Sequence, residues 1–380
     1  MTEAAAVVES LSLSLGAFAL RNLDLRLETG EILVVLGPNG AGKSVSLEAI
    51  AGFHRCRSGR ILIHGRDVTR LPPERRNVGL LFQDFGLFPH LTVAQNIALG
   101  LHARPSAREV RESARAPRAL PELLVDFGIA HLATRRPEGL SPGEKQRVAL
   151  ARALATHPDL YLFDEPFSAL DARTRDELRG ELRRFLRDIR VPAIFVTHDY
   201  SDALALADRV AVMREGELVQ SGRLEEIFRR PANRFVAEFI GIENIVAGRL
   251  AGGSAERPVI AVADKTLLAS AQEPLAGGAG KVWICIKAED VELALPEGAG
   301  APQHPNANRL AADITATHHL GVLSRVELDC GFRLNAYVMT RQAGAMKLVP
   351  GRRVEVVIAA EAIHLLPRLP SGRNDASSPS

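Results

Sequence analysis

Eight consecutive residues carry the clearest chemistry in the chain: Gly37-Pro38-Asn39-Gly40-Ala41-Gly42-Lys43-Ser44. Glycines at this spacing let backbone N–H groups curl around phosphate oxygens, and a helix starting at the lysine adds the positive end of its dipole. The lysine would reach the β- and γ-phosphates of a nucleotide, and the serine hydroxyl would bind Mg2+. The expected nucleotide contacts are Gly37, Asn39, Gly40, Ala41, Gly42, Lys43, Ser44 and Val45. A second group, Leu160-Tyr161-Leu162-Phe163-Asp164-Glu165, is an apolar run ending in two adjacent carboxylates. Asp164 would hold Mg2+ with Ser44, and Glu165 would act on the attacking water as a general base. Alone, two acids after a strand more often mark a solvated strand end. A phosphate loop upstream reverses that reading.

These groups need strands that end beside one another. Glu31 to Leu36, Leu160 to Phe163, Ala193 to Thr197 and Val210 to Met213 read as buried strands. Between Arg173 and Arg190, the residues Leu178, Leu182, Phe185, Leu186 and Ile189 fall at helical spacing. Alternation of this kind up to about residue 237 predicts an α/β domain with a mainly parallel sheet. From about Ile245 the texture changes to Gly- and Ala-rich segments with short alternating strands. Val326, Leu328 and Cys330 alternate, Gly331 punctuates, and Leu334, Ala336 and Val338 alternate again, which is a hairpin signature. The pattern Val282-x-Ile284-x-Ile286-x-Ala288-Glu289-x-Val291-x-Leu293 returns 72 residues later, from Val354 to Leu365. Two related β units in tandem are the natural reading. The polar tail, 368–380, is expected to be disordered.

Composition narrows the function classes. The 380 residues exceed one compact domain, and at 46% hydrophobic they can bury a sizeable core. A net charge of +2, with the arginines dispersed, argues against a nucleic-acid partner. Cys56, Cys285 and Cys330 form no C-x-x-C pair, so neither a disulfide framework nor a zinc site is expected, and a reducing compartment fits. The N-terminus lacks a signal-peptide pattern, and no apolar run reaches the roughly 18 residues of a membrane span. Service to a membrane would therefore be as a soluble subunit.

With four further motifs the sequence resembles the nucleotide-binding subunits of ABC transporters over almost its whole length. Gln83 in Leu81-Phe82-Gln83-Asp84 looks like the Q-loop, and Leu140-Ser141-Pro142-Gly143-Glu144-Lys145-Gln146 like the signature motif. Ser168-Ala169-Leu170-Asp171 looks like the D-loop, and His198 in Val196-Thr197-His198-Asp199 like the switch histidine. The resemblance implies a head-to-tail dimer with two ATP molecules in its interface. Ser141 and Gly143 of one copy would face the γ-phosphate held by the other. His198 would hold Glu165 and the water in place. Gln83 would sense the site, contribute to the Mg2+ site and touch the permease. The Arg-rich helical region, about 92–154, would carry much of the permease docking surface.

The chain departs from the family pattern twice. Pro142 stands where the family has a first glycine, which removes one N–H, although proline is tolerated in the first turn of a helix. Leu15 stands where the family places its adenine-stacking aromatic. Phe18 is the nearest aromatic, and adenine platform or core residue are equal readings of it.

The resemblance also gives the architecture: a P-loop ABC domain at 1–237 with RecA-like core, antiparallel β subdomain and helical subdomain. A linker at 238–245 and a small all-β TOBE/Mop-like, OB-type domain at 246–367 would follow. Such an extension is similar to that of importer ATPases, which work at the cytoplasmic face of the inner membrane with permease subunits and, indirectly, with a substrate-binding protein. The stretches Gly42 to Gly52, Leu71 to Arg76 and Leu87 to Leu91 resemble molybdate/tungstate subunits most. Sulfate, iron(III) and polyamine stand as alternative cargoes, and a regulatory subunit with negligible turnover as an alternative class. In the C-terminal domain, Asn306-Ala307-Asn308-Arg309 is the nearest match to an oxyanion-binding segment, set against a purely structural dimerisation role.

Overall fold

The computed structural model describes residues 4–82, 85–102, 118–168, 170–270, 280–295 and 306–368. The chain forms two compact units, 1–227 and 228–380. In the first, β1 (Ala4–Leu15) and β2 (Phe18–Glu28) form a hairpin, followed by β3 (Ile32–Leu36) and α1 (Lys43–Ala51). Then come β4 (Ser58–Ile63), β5 (Arg66–Asp67), β6 (Val78–Leu81), α2 (Val93–His102), α3 (Leu120–Asp126) and α4 (Pro142–Ala155). The unit continues with β7 (Leu160–Asp164), α5 (Ala172–Ile189), β8 (Ala193–Thr197), α6 (Tyr200–Leu206), β9 (Arg209–Arg214) and β10 (Glu217–Arg223), and α7 (Leu224–Arg229) follows.

Six strands form the main sheet in the order β10-β9-β3-β8-β7-β6. Strands β9, β3, β8, β7 and β6 run parallel, and β10 closes one edge antiparallel. Every residue of β3, β7 and β8 is buried. That explains their unbroken apolar runs, because a parallel sheet is covered on both faces. A second sheet, β2-β1-β4-β5, is antiparallel. The stripe Leu178, Leu182, Phe185, Leu186 and Ile189 is the buried face of α5, as its spacing predicts. Since β3, β7 and β8 are parallel, their C-terminal ends lie on one edge, where ligands of open α/β sheets bind.

The second unit contains α8 (Arg234–Phe239), β11 (Asn244–Gly253), β12 (Pro258–Val262), β13 (Lys265–Leu268), β14 (Lys281–Ile286) and β15 (Glu292–Ala294). It continues with β16 (Ala307–Leu320), β17 (Leu323–Asp329), β18 (Arg333–Met339), α9 (Thr340–Ala345), β19 (Arg353–Ala359) and β20 (His364–Pro367). The sheets are β13-β12-β11-β14-β20 and β15-β19-β16-β17-β18. The sequence repeat appears here as two four-stranded units that exchange their last strands. β20, from the second repeat, pairs with β14 of the first, and β15 pairs with β19. Two asparagines at equivalent positions join the two sheets. The Asn244 carboxamide accepts from Asn335 N–H at 2.6 Å and donates to its carbonyl at 2.9 Å. Asn308 does the same with Leu268, at 2.6 and 2.8 Å. Each acts as a one-residue strand partner. The curled antiparallel sheets are of OB type.

Candidate functional site

The loop between β3 and α1 is shaped by two glycines. Gly37 lies so close to the next strand that a Cβ there would sit 2.4 Å from the Met213 carbonyl oxygen. Gly42 caps α1 with φ 96°, and a Cβ on it would meet the Phe18 ring at 2.4 Å. Both positions are therefore closed to other residues. Lys43 is buried, and its ammonium donates to the carbonyls of Gly37 at 2.8 Å and Pro38 at 3.1 Å. Burial lowers its pKa, against the pull of the Glu165 and Asp164 charges, so the loop holds a cation with little water around it.

Asp164, the last residue of β7, faces this loop. The Ser44 hydroxyl donates to Asp164 Oδ1 at 2.9 Å. Burial pushes the Asp164 carboxyl above the usual carboxylate range, while the Ser44 bond draws it back. Two oxygens thus converge from different elements, a donor set that suits Mg2+, which takes one or two protein oxygens and completes its shell with phosphate and water.

Glu165 follows with φ 42°, a left-handed backbone that costs a non-glycine residue about 1–3 kcal/mol. Its N–H donates to Val196 O at 3.0 Å, and its carbonyl accepts from Ser168 N at 3.3 Å and Ser168 Oγ at 3.1 Å. The bend aims the side chain along the strand ends, where Glu165 Oε1 lies 2.9 Å from His198 Nδ1. His198 follows β8, and its side chain is 53% exposed.

A charged network that sequence reasoning missed lies behind this pair. Arg175 donates to Asp199, next to His198, at 3.0 Å and to the Leu170 carbonyl at 3.0 Å. Arg179 donates to Asp202 at 2.7 Å and reaches Asp199 at 3.3 Å. Thr197 Oγ1 donates to Asp202 and accepts from Asp199 N–H at 3.0 Å. The arginines stand one helical turn apart on α5, and the aspartates flank the first turn of α6. That spacing was the available signal.

Gly37, Lys43, Ser44, Asp164, Glu165 and His198 thus meet at one edge of the sheet, with Phe18 lying on the loop through Gly42. Ser141 and Gly143 stand elsewhere, at the start of α4. Ser141 there bonds Glu144, and Gly143 packs against Thr174. Pro142 takes the first helical position, where its missing N–H costs no intrahelical bond. Gln83, Asp84 and Ala169 lie outside the described residues, as do 103–117 of the helical region and 369–380 of the tail.

This site defines a P-loop ATPase. A family model described as ABC transporter matches residues 20–168. The molybdate/tungstate import ATP-binding protein of Pyrococcus abyssi is 38% identical over 358 residues, spanning 94% of this chain and 98% of the relative. A sulfate/thiosulfate import ATP-binding protein of Chromobacterium violaceum is 40% identical over 365 residues, spanning 95% and 94%. A solved nucleotide-free ATP-binding cassette from an ABC transporter shares the fold, with a TM-score of 0.53 at 22% identity over 62% of this chain and 98% of that one. The chain belongs to the ATP-binding subunits of ABC importers. It is an ATPase.

Proposed function

We propose that two copies of this chain bind two ATP molecules with Mg2+ between them and hydrolyse them to import molybdate or tungstate through permease subunits. The carrying observation is the convergence of Lys43, the Ser44–Asp164 oxygen pair and the Glu165–His198 pair on one loop cluster. Lys43 and the backbone of Gly37, Asn39, Gly40, Ala41, Gly42 and Val45 would cradle the phosphates. Ser44 and Asp164, with Gln83, would hold Mg2+, which supplies charge neutralisation when bound. Glu165 would take the proton of the attacking water while His198 holds the carboxylate in register. Ser141 and Gly143 of the second copy would complete the phosphate shell, and Phe18 would lie under adenine.

Similarity of 38% over nearly the full length of a molybdate/tungstate relative supports the cargo. The sulfate relative of equal coverage makes sulfate the second reading. No helix among the described residues is long and apolar enough to cross a membrane, so attachment at the cytoplasmic face would be peripheral. Phe53 and Phe82, 53% and 46% exposed with ring centroids 5.7 Å apart, form an exposed aromatic pair suited to a permease. The divisions 1–237, 238–245 and 246–367 belong to the same proposal.

For the C-terminal unit, structural pairing has more support than oxyanion binding. Asn308 is committed to backbone partners, and Arg309 pairs with Glu355 at 2.7 Å. Calorimetric titration of the full chain with molybdate tests this; saturable binding in the absence of nucleotide would restore the sensing role. For the cargo, cellular molybdenum and tungsten are measured by mass spectrometry in a strain lacking the gene, at limiting oxyanion. Selective loss of these metals is expected. Normal levels with impaired sulfate uptake would move the assignment to sulfate.

A further inference from the structure

We infer that Glu144 is a positioning residue that restrains the signature serine, so that two copies close on ATP only by drawing the Ser141 hydroxyl away from a carboxylate of its own chain. The inference rests on the head-to-tail dimer proposed above.

Ser141 is the N-cap of α4, and its N–H and its hydroxyl both turn to one residue. Its N–H donates to Glu144 Oε2 at 2.7 Å, and its hydroxyl donates to the same oxygen at 2.8 Å. The hydroxyl oxygen accepts from Glu144 N–H at 3.3 Å. A serine hydroxyl carries a single proton. While that proton is given to Glu144 it cannot be given to a phosphate. A bond to an ionised acceptor is roughly twice as strong as one to a neutral acceptor. The Ser141 backbone and hydroxyl bonds, in that order, hold the Glu144 carboxyl below the usual carboxylate range, and the Arg135 and His131 charges add to the effect. The acceptor is therefore the charged form at neutral pH.

Proline at the next position raises the weight of this one hydroxyl. Pro142, at the first helical position, has no N–H to offer an anion, and the Glu144 N–H is engaged by Ser141 Oγ. The Ser141 hydroxyl and the Gly143 N–H are what this helix start would present to a partner's γ-phosphate, and the first of them begins in the grip of Glu144. Closure would exchange one charge-assisted bond for another, and ATP would have to outcompete an internal anion at the same proton.

The test uses the full chain carrying Glu165→Gln, so that ATP is held rather than consumed. The ATP concentration for half-maximal dimerisation is measured by sedimentation velocity with and without Glu144→Gln. Glutamine retains the capping box but replaces the ionised acceptor with a neutral one. A restraint predicts that this concentration falls about three- to tenfold. It also predicts a melting temperature only slightly lowered, because the charge-assisted bonds weaken while the cap persists, and lowered less than by Glu144→Ala, which removes the cap itself. If Glu144 were only a helix cap, Glu144→Gln would leave the midpoint where it was, and that result, or a higher midpoint, overturns the inference. A Glu165→Gln parent that stays monomeric at saturating ATP removes the dimer itself, and this inference with it.

Discussion

Replacing Glu165 by glutamine keeps its size and its hydrogen-bonding reach to His198 but removes the base. Turnover should fall by about 10²–10⁴ while ATP binding persists, measured as phosphate release against equilibrium nucleotide binding. Unchanged turnover would remove Glu165 from the role of general base. Phe18 needs a finer test, because its ring both packs on Gly42 and stands beside the loop. Phe18→Leu should weaken ATP binding about tenfold if one base stacks on the ring, at about 1–3 kcal/mol per base–aromatic contact. Binding of inorganic triphosphate, which has no base, should be little changed. Equal loss for both ligands would make Phe18 a support of the loop and nothing more. The motif residues were legible individually because phosphate, Mg2+ and proton transfer each demand particular atoms. The left-handed backbone at Glu165 was not, since no glycine marks it.

At the level of elements, the network behind His198 ties α5 to the loops that follow β7 and β8. The Arg179 and Asp202 side chains are 7% and 6% exposed. Arg179→Met would strand a buried carboxylate, at about 3–5 kcal/mol, seen as a lower denaturation midpoint. A loss below 1 kcal/mol would show that water reaches Asp202. In the second unit, Asn308→Ala would leave the Leu268 N–H and carbonyl without their partner. The expected loss is about 1–3 kcal/mol, read from urea unfolding of the full chain, and no loss would mean that the two sheets hold together without it. The strands and α5 could be read from their periodicity, with boundaries shifted by a residue or two. The exchange of β15 and β20 could not: the repeat gives equal patterns to both units and so does not say which copy of a strand each sheet takes up.

For the whole molecule, the division into 1–227 and 228–380 puts every residue proposed to contact nucleotide in the first unit. Differential scanning calorimetry should resolve two transitions. ATP with EDTA present should raise only one of them, by about 2.7 kcal/mol at a hundredfold excess over Kd. A single transition moved as a whole would mean that the units unfold together. The order of motifs along the chain, the apolar strands and the repeat were determined by the sequence alone, because phosphate chemistry and burial act through residue type and short-range spacing. The motifs led to the expectation that Asp164 works with Ser44 and His198 with Glu165, but the distances between them, and the link that Arg175 makes between Leu170 and Asp199, came only from the tertiary structure. These partners come from strands far apart in the chain, and their distances are set by the pairing order of the sheet. The grip of Glu144 on Ser141 spans only three residues and was open to a capping-box reading, yet its meaning depends on which end of α4 faces outward. That is a property of packing: Ser141 at the start of α4 is exposed, while Val148 to Ala151 and Ala153 to Ala155 further along the helix are buried.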